Sequence, residues 1–137
     1  MSQAATRAAP VDAPYWQGLH EGRLVMQHCQ GCGRWHWPSV WRCGECGAWS
    51  PEWREIALAG VVYSWTTTWH PFAGTEAIGK PPFTTVLVAL PQAGGRRLFG
   101  LFEGDDAALA LDKPLKGRID ATKVGDAMLP AIRWRIA

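Results

Sequence analysis

The sequence predicts a mostly β protein built from two modules, and three observations carry that prediction. The four cysteines of the 137-residue chain fall in two copies of one pattern, Cys29-Gln-Gly-Cys32-Gly33 and Cys43-Gly-Glu-Cys46-Gly47. From about residue 54 onward, short apolar and alternating runs are separated by glycine and proline, which is the punctuation of strands. Helical patterns are confined to two short stretches. No strand alternates with a full-length helix, so a parallel α/β sheet is not expected.

The elements follow in order. Residues 1–13 are rich in alanine and small polar residues and read as a flexible tail. Asp12 and Pro14 are placed to start a helix, as N-cap and first-turn proline. The helix covers residues 15–21, with Trp16, Leu19 and His20 on one side and Gly22 as its stop. Residues 23–29 alternate as a strand entering the first cysteine turn, and residues 34–38 form its return. Trp49-Ser50-Pro51 turns the chain out of this module, giving a helix-and-ribbon unit over residues 14–53.

The remainder, residues 54–137, reads as five strands. Ile56, Leu58, Val61, Tyr63 and Trp65 make one long strand with a bulge or bend at Gly60. Residues 70–82 contain Pro71, Gly74, Gly79, Pro81 and Pro82 and form a long loop, a common place for function. Residues 83–90 and 96–102 are paired strands around the Pro91–Gly95 turn. Asp105 and Asp106 cap a short helix reaching Leu111. Residues 116–122 and 128–136 are the last two strands, joined at Gly125-Asp126. Five strands with a short helix between the third and fourth is the order of an OB-fold barrel.

The cysteine spacing carries chemistry. Each C-x-x-C turn offers two thiolates on one side of a tight loop, and ten residues separate the turns. Cys29, Cys32, Cys43 and Cys46 therefore suit a closed tetrahedral site, for which structural zinc is the expected ion. The glycine after each pair permits the positive φ that aims backbone N–H groups at sulfur. The same ligands also suit a four-thiolate iron site, and disulfides are the other use of paired cysteines. A closed four-sulfur site keeps no open position for catalysis. His28 and His36 flank the first turn, either as spare ligands or as ordinary hairpin side chains.

Composition bounds the partners. There is no run of about eighteen apolar residues, so no membrane span is expected. The first fourteen residues lack the apolar core of a signal peptide, and a cytoplasmic location is expected. The net charge of +2 argues against nucleic acid as the ligand. Between residues 113 and 135, six basic residues, Arg133 and Arg135 among them, face two aspartates, a local excess that suits an anion or a solvated strand face. Five of the nine tryptophans, Trp35, Trp37, Trp41, Trp49 and Trp53, crowd the cysteine module. A ribbon this small cannot bury them all, so some must seal it to the barrel or meet another chain. No G-x-S-x-G, H-E-x-x-H, phosphate loop or dinucleotide fingerprint is present. No catalytic residues are expected in this chain, and His70 is the one histidine placed for a site role.

These residues together resemble a known family. The helix motif Tyr15-Trp16-x-Gly18-Leu19-x-x-Gly22-Arg23-Leu24, the C-x-x-C-G ribbon, Gly60-Val-Val-Tyr63-Ser64-Trp65-Thr66 and Pro81-Pro82-Phe83 are similar to the rubredoxin-like zinc-ribbon plus OB-fold family of acyl-CoA-associated proteins, domain of unknown function thirty-five. The resemblance covers about residues 14–136. It implies a small zinc-binding subunit of a thiolase-fold enzyme such as a thiolase, an acyltransferase or a steroid side-chain aldolase. The partner would then carry the catalytic residues, while this chain supports it and helps shape its CoA or acyl channel; the surplus tryptophans Trp35, Trp37 and Trp41, read from the sequence itself, are candidate contacts. The ribbon departs from the family pattern in its tryptophan content. A free-standing acyl-CoA-binding protein, using the basic C-terminal strands and the long loop, is the alternative. Single-stranded nucleic-acid binding is a third use of the same folds.

Overall fold

The computed structural model describes residues 9–70, 72–75 and 78–137. Most of the expected tail, residues 1–8, lies outside the described residues.

Helix α1 spans Ala13–His20 and is followed by strand β1, Leu24–His28. Pro14 sits in the first turn, and Gly22, with φ of 77°, follows the C-cap as expected. Asp12 does not cap with its side chain. Its backbone is turned to ψ of 6°, outside the extended region a capping side chain needs, and its carboxylate accepts instead from Trp16 Nε1 at 3.0 Å. The buried face also differs from expectation: Tyr15, Gly18 and Leu19 face inward, while Trp16 and His20 are exposed. The Tyr15 ring sets this rotation, lying 4.4 Å from the ring of Trp37.

The ribbon is a three-stranded sheet in the order β2–β1–β3, with β2 at Trp35–His36 and β3 at Glu52–Ile56. The expected return strand shrinks to two residues, because Pro38 has no N–H to extend the ladder. Strand β3 is a correction of substance. The long strand expected across Ile56 and Trp65 is two strands: β3 pairs with β1 from Leu24↔Ile56 to His28↔Glu52, and β4, Ala59–Thr68, enters the barrel. The irregularity falls between Val62 and Ser64 rather than at Gly60.

The barrel closes in the order β4–β5–β6–β8–β7 and back to β4, with β5 at Phe83–Leu90, β6 at Arg96–Phe102, β7 at Pro114–Val124 and β8 at Ala127–Ile136. All neighbours are antiparallel except β6 and β8. This is the OB-fold order. The short helix between β6 and β7 is a single 3₁₀ turn, Asp106–Ala108, whose Ala107 N–H donates to Asp105 Oδ1 at 2.9 Å.

Trp134 fills the barrel. It is fully buried, with Val62, Val86, Val88, Leu115 and Ile132 in the same core. Two strand glycines make room for it: a Cβ on Gly100 would lie 2.6 Å from Trp134 Cδ1, and one on Gly117 would lie 3.0 Å from Cζ3. Glycine is required there because any side chain would displace the indole. Tyr15, Leu19, Leu24 and Met26 join this core from the helix and ribbon, so the two modules share one interior. Replacing Trp134 by alanine should therefore cost about 3–5 kcal/mol in urea unfolding, whereas phenylalanine should lose clearly less.

Candidate metal centre

The two cysteine turns are backbone copies of each other. Cys29 N–H donates to the Arg34 carbonyl at 2.7 Å, and Gly33 N–H donates to the Cys29 carbonyl at 2.8 Å. The second turn repeats both bonds, Cys43 to Ala48 at 2.9 Å and Gly47 to Cys43 at 3.0 Å. Gly33 and Gly47 take φ of 77° and 81°, the left-handed conformation expected of them. Cys29 and Cys43 are buried, while Cys32 and Cys46 sit at the surface.

The four sulfurs converge. Cys29 and Cys46 Sγ are 3.5 Å apart, Cys32 and Cys43 Sγ 3.7 Å, and all four lie within 4.8 Å of one another. A tetrahedral ion with sulfur at 2.3 Å requires edges of about 3.8 Å, so the set fits zinc. A disulfide needs about 2.05 Å, and all four cysteines are free. The site closes on sulfur alone: neither His28 nor His36 joins the ligand set. His28 stacks edge-on against Trp35, and His36 is buried beside the second turn.

The local field divides the thiols into two pairs. The Cys32 N–H is aimed at Cys29 and draws that thiol down to about 6, against the opposing effect of burial. The Cys46 N–H does the same for Cys43, with help from Glu45 N–H and the His36 side chain, bringing it to about 7. Cys32 receives the Arg34 N–H, but partial desolvation of its sulfur and the neighbouring sulfurs outweigh it and push the thiol up to about 11. Cys46 is raised as well: Ala48 N–H opposes the shift, and the bond to Cys29 and burial prevail. When bound, zinc would hold all four as thiolates and fix the ribbon.

Gln27 positions the second turn, a role the sequence did not reveal. Its buried amide donates to the Val40 carbonyl at 2.9 Å and accepts from Val40 N–H at 2.8 Å, standing in for a strand partner. The available signal was a polar residue beside Leu24, Val25 and Met26 in β1.

The other sequence-singled residues separate. Trp35 and Trp37 are half-buried against the core, and Arg96 Nε donates to the Trp35 carbonyl at 2.7 Å, joining barrel to ribbon. Trp41 and Trp49 are exposed, with Arg42 over the Trp49 ring. His70 is exposed at the start of the β4–β5 connection and does not join the sulfur cluster. Arg133 is half-buried on β8, two residues from exposed Arg135. Among the described residues, no helix is long and apolar enough to cross a membrane.

Comparison with known proteins agrees with this architecture. Residues 16–50 match the model of the ChsH2 rubredoxin-like zinc ribbon domain, and residues 53–120 that of the ChsH2 C-terminal OB-fold domain. The chain belongs to this zinc-ribbon plus OB-fold family. A solved structure described as the Ltp2-ChsH2(DUF35) aldolase is similar, with a TM-score of 0.73 and 24% identity over 91% of this chain and 93% of that one. A DUF35-family protein of unknown function from Sulfolobus solfataricus is also similar, with a TM-score of 0.60 and 20% identity over 94% of this chain and 87% of the other. At these identities the likeness concerns the fold. No curated protein matches the chain.

Cys29→Ser should lose zinc, measured by elemental analysis, and lower Tm by about 10 °C or more, because the metal contributes directly to folding. Zinc uptake by the metal-free chain at pH 7.5 should release thiol protons, because all four cysteines bind as thiolates, and affinity should fall as pH drops and protons compete with the metal. A pH indicator in weak buffer reads the release directly.

Proposed function

We propose that this chain is a non-catalytic, zinc-pinned accessory subunit of a thiolase-like acyl-CoA enzyme. The observation that carries this is its surplus of exposed aromatic surface. Trp41, Trp49, Tyr63, Trp69, Phe72 and Phe99 are each at least half exposed. Such surface is characteristic of a chain that meets a partner. Trp41 and Trp49 lie on the ribbon; the others lie on β4, on the connection after it and on β6. Arg97 stacks on Tyr63 at 4.2 Å, an arrangement common in interface hot spots.

The family supports the same reading. One structural relative is an aldolase assembled from ChsH2 and Ltp2. The sulfur cluster supplies rigidity rather than chemistry, since its four positions are all taken by protein. In this role the catalytic residues belong to the partner, the ribbon stabilises the partner's surface, and the barrel helps shape the CoA or acyl channel. A cytoplasmic location accords with free thiols held for a metal.

The isolated, zinc-loaded chain should be inert toward acyl-CoA thioesters and should self-associate with rising concentration through these aromatics. Trp69→Ser combined with Phe72→Ser should reduce that association, read by sedimentation, while leaving zinc content unchanged. Turnover of a CoA thioester by the pure chain would overturn the assignment.

A further inference from the structure

A groove of about 290 Å³ lies between helix α1 and the outer face of β5, β6 and β8. Its floor is one row across three strands, because Thr85 pairs with Leu101 and Leu101 pairs with Arg133. Trp16 from the helix, Ile78 from the β4–β5 connection and Phe99 from β6 form its apolar walls. Arg133 is the one cation among its described lining residues.

That cation has spare hydrogen-bonding capacity. Its side chain is 19% exposed, and its Nε is buried without a hydrogen-bond partner. Its terminal nitrogen donates to Thr122 Oγ1 at 3.3 Å. Asp120 Oδ2 forms an ion pair with its Nε at 3.6 Å, beyond hydrogen-bond distance, and that same oxygen accepts from Arg118 at 2.9 Å. Glu103 is engaged in a two-pronged contact with Arg118. A guanidinium has five N–H donors, and a buried Nε–H without an acceptor is available for a ligand to complete. An apolar slot with a single converging cation is the chemistry of a small amphipathic anion site.

We propose that this groove binds a monocarboxylate with an apolar body, its carboxylate meeting Arg133 and its chain lying against Trp16, Ile78 and Phe99. The site needs no second chain, and it shares only Phe99 with the aromatic surface of the subunit role above.

Octanoate, 1-octanol and octylammonium distinguish the contributions. Titrated into the full zinc-loaded chain by calorimetry, with the Trp16 indole N–H followed by NMR, octanoate should bind and shift that signal. It should bind about tenfold or more tighter than octylammonium, the difference expected for a charge-assisted bond. Arg133→Gln should remove that preference while leaving octanol binding in place, and Arg133→Lys should restore part of it. Phe99 is 70% exposed, so Phe99→Glu should leave the fold intact and weaken octanoate while strengthening octylammonium. Absence of octanoate binding, equal binding of the two ions, or an octanoate affinity unchanged in both Arg133→Gln and Phe99→Glu would overturn the site.

Discussion

Convergence of four sulfurs is the constraint on which the rest of this structure depends. The ribbon has only three short strands, and a module this small commonly needs a metal to be ordered. A closed sulfur site supplies what packing does not. Once the two turns are fixed, β1 runs outward from Cys29 with Leu24 and Met26 aimed into the barrel, and α1 follows with Tyr15 and Leu19. The metal therefore reaches the barrel core indirectly, through a helix and a strand whose positions it sets. The bond from Arg96 to the Trp35 carbonyl joins the modules from the other side.

This arrangement leaves an unusual division of aromatic side chains. Trp134 is wholly internal and needs Gly100 and Gly117 beside it. Trp35, Trp37 and Trp53 seal the modules together. Trp41, Trp49 and Trp69 remain at the surface, where their area costs solubility unless another surface covers them. A chain that needed only to hold a metal would have no use for that last group.

The amino-acid sequence made some levels of this structure plain and hid others. The sulfur ligands were legible because two C-x-x-C-G turns encode the same local geometry wherever they occur. The five barrel strands were legible because alternation and turn glycines are local signals, and the 83–90 and 96–102 strands coincide with β5 and β6. Strand β3 was not, because only its pairing with β1 separates it from β4. The helix face was misjudged because the partner of Tyr15 is Trp37, a contact between residues distant in sequence. Gln27 was missed for the same reason: its partner Val40 lies across the ribbon. The groove at Arg133 assembles from α1, β5, β6 and β8, and no single segment announces it.

The proposed role for this chain is the zinc-bearing part of a larger acyl-CoA enzyme. The most direct test is native co-purification of the full chain at low salt, with partner identity by mass, zinc by elemental analysis and turnover of CoA thioesters measured on the same fraction. The expected result is a stoichiometric assembly with a thiolase-like subunit, one zinc per small chain and activity present only in the assembly. Recovery of the small chain by itself, monomeric and zinc-loaded, with no thiolase-like partner, would contradict it.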